Sequence, residues 1–178
     1  MISHGAAEGV MGKRLFGWEL AGCLWTGLAG TVLHFFYDWT GRAAWAMAFS
    51  AVNESVWEHM KLLYVPVFVF TLVQAGFLGR QYPDLCAVRG ISAPLGTAAI
   101  PLAYYTYTGA LGLHALWADI LIFFLADAGL FWLDYRLLRR GAVGSGWRQV
   151  AGLALLWAVL VAFVWCSYQP TALPIFLE

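Results

Sequence analysis

Five long apolar runs separated by short polar breaks define the pattern of this chain, at about residues 15–38, 56–78, 91–112, 116–138 and 147–167. Each reaches the ~20 residues that a helix needs to cross a ~30 Å hydrocarbon layer. The second run needs a boundary, because apolar sequence continues almost unbroken over 43–78. One helix of that length would extend about 54 Å at ~1.5 Å per residue, too long for a single crossing without extreme tilt. Ser55-x-x-Glu58 is a capping-box pattern and Asn53 is itself a good N-cap, so the spanning helix is predicted to start near Ser55. Residues 43–52 then form a short separate element, re-entrant or interfacial. Pro66 is expected to kink the span. The predicted fold is an all-α integral membrane helical bundle, one domain of about five transmembrane helices plus that short element.

Composition agrees with this reading. The 178 residues are 62% hydrophobic and 11% charged, with a mean hydropathy of +0.72, outside the range of ordinary soluble domains. The formal net charge is zero, which gives no reason to expect a nucleic-acid partner. Cys23, Cys86 and Cys166 lie far apart without C-x-x-C spacing, so neither a disulfide framework nor a thiolate zinc site is expected. Lys13 and Arg14 precede an apolar run over 15–37 that is longer than a cleavable h-region, and it reads as a retained first span.

Basic residues orient the bundle. Lys13, Arg14, Arg80, Arg89, Arg136, Arg139, Arg140 and Arg148 fall at one end, against Arg42 and Lys61 at the other. The positive-inside rule then puts the N-terminus in the cytoplasm and the C-terminus outside. His34, His59 and His114 all fall at the outer end, together with Asp38, Glu54, Glu58 and Asp119, and Tyr105 and Tyr107 end the third span at the same depth. Asp127 lies near mid-membrane in the fourth span, either protonated and hydrogen-bonded or a step in a proton path. Glu19 is expected beside Lys13 and Arg14 as an inner-surface group.

The densest polar stretch is Asn53-Glu54-Ser55-Val56-Trp57-Glu58-His59-Met60-Lys61. Lipid cannot solvate such groups; protein, water or metal must. Imidazole with carboxylate is the ligand set of zinc and non-haem iron. We therefore take His34, His59, His114, Asp38 and Asp119 as candidate ligands of Zn or Fe, and Glu54 or Glu58 as a candidate general base. The set carries no H-E-x-x-H or H-x-x-x-H pattern and rests on convergence alone. Blander readings stand beside it: His34, Asp38 and His114 solvated at helix ends, Glu58 a cap, Lys61 snorkelling or paired with Glu58. The tail, broken by Pro170 and Pro174, is expected to fold back over the outer surface.

The N-E-S-V-W-E-H string, with Tyr104-Tyr105-Thr106-Tyr107-Thr108-Gly109 and the Pro170…Pro174-Ile175-Phe176 tail, resembles a family of small multi-pass bacterial membrane proteins of unknown function. The likeness runs from about His34 to Phe176. It implies a bacterial cytoplasmic membrane and points to Asn53, Glu54, Trp57, Glu58 and His59, but implies no activity.

Three functions are compatible with these residues. One is a metal-dependent membrane enzyme acting on a lipid or other membrane-associated substrate. Another is a proton- or metal-ion-coupled transporter that continues through Asp127. The third is an accessory subunit whose polar groups meet a partner, either a second copy or another membrane protein.

Overall fold

The computed structural model describes residues 3–176, with side chains from Met11 onward. Its order is α1 (Ser3–Trp39), a 3-10 turn η1 (Ala44–Ala48), α2 (Val56–Leu78), α3 (Leu85–Leu111), α4 (Leu116–Arg140), α5 (Trp147–Tyr168) and a final 3-10 turn η2 (Pro174–Phe176). The five α-helices are each long and apolar enough to cross a membrane, and the described residues contain no strand.

Helix α2 is the central member. About two thirds of its apolar window is buried, against about a fifth for α1, α4 and α5. Its side chains Leu63, Tyr64, Val67 and Phe68 pack with Ala93 and Ile100 of α3, Leu130 and Phe131 of α4, and Leu156 and Phe163 of α5. The apolar faces left outside, including Leu24, Leu28, Leu102, Leu125 and Val161, are those a bilayer would cover.

Small residues set the helix spacing. Gly30 of α1 lies against the carbonyl of Leu62, where an added Cβ would come within 2.8 Å of the oxygen. Pro66 is responsible for exposing that carbonyl, since it has no N–H to donate four residues back. The Pro66 carbonyl in turn accepts a hydrogen bond from Trp25 Nε1 at 3.1 Å. On the other side of the bundle, a Cβ on Gly90 of α3 would reach 2.6 Å from the Cα of Gly152 in α5. Such close approach is how membrane helices gain contact area without a hydrophobic driving force.

Two expectations need correction. The third helix begins at Leu85, not near 91, so Arg89 is a buried intrahelical residue and not a connecting-loop charge. Glu19 is likewise buried, on the inward face of α1, and not an inner-surface group. Hydropathy alone misplaces both, because it counts a charge against burial whether or not an opposite charge meets it. The segment between α1 and α2 holds only the five-residue turn η1, too short to cross a membrane.

The polar punctuation falls at two levels. One end gathers the C-terminus of α1, η1, the start of α2 and the C-terminus of α5. The other gathers the opposite ends of these helices with Arg89, Asp134 and the exposed arginines of α4. The tail returns to the first of these ends, where Phe176 packs on Trp57 at 4.8 Å between ring centroids.

Candidate metal centre

The N-cap of α2 sets the geometry of the site. Asn53 Oδ1 accepts from the Ser55 amide at 3.1 Å, turning the chain, and Ser55 Oγ accepts from the Glu58 amide at 3.4 Å, starting the helix. The capping box closes only on this side, because the Glu58 carboxylate accepts from the Val52 amide at 3.1 Å and not from Ser55. Glu54 sits between the two turns, outside the helix, with its side chain 69% exposed. One turn into α2, His59 faces it.

His59 Nδ1 lies 2.9 Å from the carbonyl oxygen of Ser55. A carbonyl can only accept, so Nδ1 carries a proton, and in the neutral ring the lone pair is then on Nε2. That Nε2 is 3.6 Å from Glu54 Oε2, and His34 Nε2, from the last turns of α1, is 3.6 Å from Glu54 Oε1. The two imidazole centroids are 5.5 Å apart. One ligand atom from each of the three residues fits within 4.8 Å of the other two, and this is the group of His, Cys, Asp and Glu that does so among the described residues.

These separations are too long for hydrogen bonds, which run about 2.7–3.2 Å. They suit two ligands of one ion. Ligand atoms ~2.0–2.1 Å from a tetrahedral zinc stand roughly 3.3–3.4 Å apart. The ring held by a backbone carbonyl is also the usual outer support of a metal-binding imidazole. His34 Nδ1 is buried without a hydrogen-bond partner.

Glu58 and Lys61, though adjacent in sequence to this rim, face away from it. Residues one apart on a helix point about 100° apart. Lys61 is fully buried, with Nζ 2.6 Å from Glu58 Oε2 and 2.7 Å from both Met47 O and Ser167 Oγ. Ser167 Oγ donates to Glu58 Oε1 at 2.8 Å. This network ties α2 to α5, to η1 and, through Val52, to the loop that carries Glu54. Lys61 therefore pairs and does not snorkel, and Glu58, committed to it, is no free base. No motif in the sequence marks Ser167, which lies in the last turn of α5.

The remaining candidates lie elsewhere. Asp38 pairs with Arg42 at 3.0 Å on the exposed rim, which helps keep the Arg42 guanidinium protonated beyond its ordinary range. His114 Nδ1 meets Tyr104 OH at 3.3 Å, and Tyr107 OH donates to Asp119 Oδ1 at 2.5 Å, a second cluster that joins α3 to α4. Tyr105 packs edge-on against Tyr104. None of Asp38, His114 and Asp119 belongs to the ion-sized group. Asp127 accepts from Cys23 Sγ at 3.4 Å. Trp57 fills space between Phe163 and Phe176.

At the opposite end, Arg89, 1% exposed, lies 3.3 Å from Glu19 Oε2 and 3.0 Å from Asp134 Oδ2. Gln74 accepts from Arg89 at 2.8 Å and donates to Glu19 at 2.7 Å, and Ser92 donates to Asp134. The guanidinium also lies over the Phe131 ring, 4.6 Å from its centroid. This centre fastens α1, α2, α3 and α4, and sequence spacing had not marked it.

Residues 13–178 match a family described as a family of unknown function (DUF6512), and the chain belongs to that family. No curated protein and no solved structure matches the chain.

Proposed function

We propose that this member of a family without an assigned activity is a metal-dependent membrane enzyme, its ion held by His34, Glu54 and His59. The observation that carries the reading is the convergence of two imidazoles and a carboxylate, at 3.6 Å spacings, on one open rim. Two histidines and a glutamate form the protein ligand set of one class of catalytic zinc site, which keeps its fourth position for water or substrate. The exposure of Glu54 leaves such a position facing solvent. An ion there would polarise a carbonyl or phosphoryl oxygen and lower the pKa of its bound water to about 7. Because the rim tops a bundle of membrane-length helices, the substrate class that reaches it is a lipid or another membrane-associated molecule. In this reading Glu54 is a ligand and not the base, and Glu58 holds the loop in place through Lys61.

The basic residues orient the site. Without Arg89, seven Lys and Arg side chains remain at the far end, from Lys13 to Arg148. By the positive-inside rule that end is cytoplasmic and the metal rim lies on the opposite face. An ion-coupled transporter is disfavoured because it would need a polar path through the bundle, and among the described residues Asp127 bonds only Cys23.

Cobalt loading distinguishes a catalytic site from a closed structural one. We expect the visible spectrum of the Co²⁺-loaded protein to change when azide or a hydroxamate is added, as the exogenous ligand enters the open position. A cobalt spectrum that neither ligand alters would overturn the enzyme reading while leaving a structural metal site.

A further inference from the structure

The far end of α4 carries a feature that the metal site does not use. Trp132, Tyr135, Arg136, Arg139 and Arg140 recur at i, i+3, i+4, i+7 and i+8, which places them along one face of the helix. With Phe16 of α1 they line a groove of about 570 Å³. Phe16 meets Tyr135 edge-on at 5.7 Å. The Arg136 guanidinium lies 5.1 Å from the Trp132 ring centroid, and Arg139 donates to Tyr135 OH at 3.3 Å.

Arg42, Lys61 and Arg89 each have a carboxylate within 4.0 Å. Among the described residues, Arg136, Arg139 and Arg140 have none, although they crowd into the last two turns of one helix. Lys13, Arg14, Arg80 and Arg148 also have no carboxylate within 4.0 Å among the described residues, so what marks this groove is three guanidiniums gathered with aromatic rings along one helix face. A helix C-terminus offsets part of a positive charge, but only about half a unit. Three guanidiniums thus stand together with no carboxylate beside them. Phe16 and Trp132, 55% and 60% exposed, make an apolar wall on the membrane-facing side of the same groove. A cationic end joined to an apolar wall complements a molecule with a phosphate at one end and hydrocarbon at the other.

We propose that this groove binds an anionic phospholipid. The phosphate is taken by Arg136, Arg139 and Arg140, whose planar forks suit paired contacts to phosphate oxygens. The acyl chains lie along Trp132 and Phe16. This assignment is independent of the metal site, from which it is separated by the length of the bundle.

Native mass spectrometry of the whole protein, released from micelles containing equal phosphatidylglycerol and phosphatidylcholine, tests it. The wild type should retain phosphatidylglycerol over phosphatidylcholine by at least about tenfold, as expected for several basic contacts to an anionic headgroup. The combined Arg136→Gln, Arg139→Gln, Arg140→Gln variant should fall to parity. Arg148→Gln, an exposed change outside the groove, should retain the preference. Trp132→Ala, which keeps all three charges, should lose part of it. Should the triple variant fail to fold, the single changes Arg136→Gln and Arg139→Gln still read the groove, each lowering the preference. Parity in the wild type overturns the proposal. Equal loss in Arg148→Gln does so too, since it assigns retention to general surface charge. Displacement of the lipid by millimolar inorganic phosphate would replace it with a site for free phosphate.

Discussion

The two polar centres at opposite ends of this bundle use similar residue types in opposite ways. Around Arg89, opposite charges meet: one guanidinium lies beside Glu19, Asp134 and Gln74, and Gln74 and Ser92 donate to one oxygen of each carboxylate. Around Glu54, a carboxylate stands between two imidazole nitrogens at 3.6 Å, outside hydrogen-bond distance, and the Nδ1 proton of His59 goes to the backbone. The first arrangement is buried and charge-paired, although Arg89 Nε, Arg89 Nη1 and Asp134 Oδ2 make no hydrogen bond. In the proposed reading, a cation in its middle completes the second. The difference teaches that buried charges in this molecule fasten helices together, whereas the less buried rim leaves polar atoms open to a ligand, which is why the proposed site is placed there.

Breaking the buried centre should have the largest effect. Arg89→Met leaves Glu19 and Asp134 facing each other without a cation, a change of the kind that costs about 3–5 kcal/mol. It should appear as a large fall in the thermal midpoint in detergent, with metal affinity retained in whatever protein remains folded. Lys61→Met should cost a similar amount, for the same reason. Because Glu58 also holds Val52, it should loosen the Glu54 loop and weaken metal binding as well, which an isothermal titration with Zn²⁺ would report. A Lys61→Met variant with native zinc affinity would show that the fastener and the site are uncoupled.

Changes at the rim invert this pattern. His34→Ala, His59→Ala and Glu54→Gln should each lower zinc affinity by about 100-fold or more, while the metal-free thermal midpoint stays near wild type. Affinity should also fall as the medium is acidified, since protons compete for the imidazole lone pairs. Ser167→Ala, which removes one neutral partner from the Lys61 network, should cost about 1 kcal/mol.

The smallest effect concerns Asp84, at the connection before α3, whose carboxyl is pushed up from its ordinary range by burial. A raised carboxyl binds its proton more tightly in the folded than in the unfolded state. Stability from this group is therefore present below its ordinary range and is lost as pH rises from there through its raised one. Asp84→Asn should flatten this slope in midpoint-against-pH measurements.

Much of the fold was legible because hydrocarbon thickness sets a length that the apolar runs must match, and because Ser55 and Asn53 announce where α2 begins. Arg89 and Glu19 were misread because a hydropathy pattern cannot distinguish a buried partnered charge from one at the surface. For the site, helix counting gave depth but not azimuth. His34, His59 and His114 end at one level, yet His114 stands with Tyr104, while the other two meet across Glu54. Glu54 and Glu58 looked equivalent in sequence. Only the turn made by Asn53 and Ser55 swings the first toward the imidazoles and leaves the second facing Lys61. The groove arginines count in sequence only toward the basic bias of one end, and it is the fold that brings Phe16 of α1 to their aromatic-lined face.

The most direct measurement is elemental analysis of the whole protein purified in detergent without chelator, for wild type, His59→Ala and His114→Ala in parallel. The account predicts near-stoichiometric zinc or iron in wild type and His114→Ala, and its loss in His59→Ala. A metal-free wild type that also fails to take up added Zn²⁺, or a metal that survives His59→Ala, would contradict it.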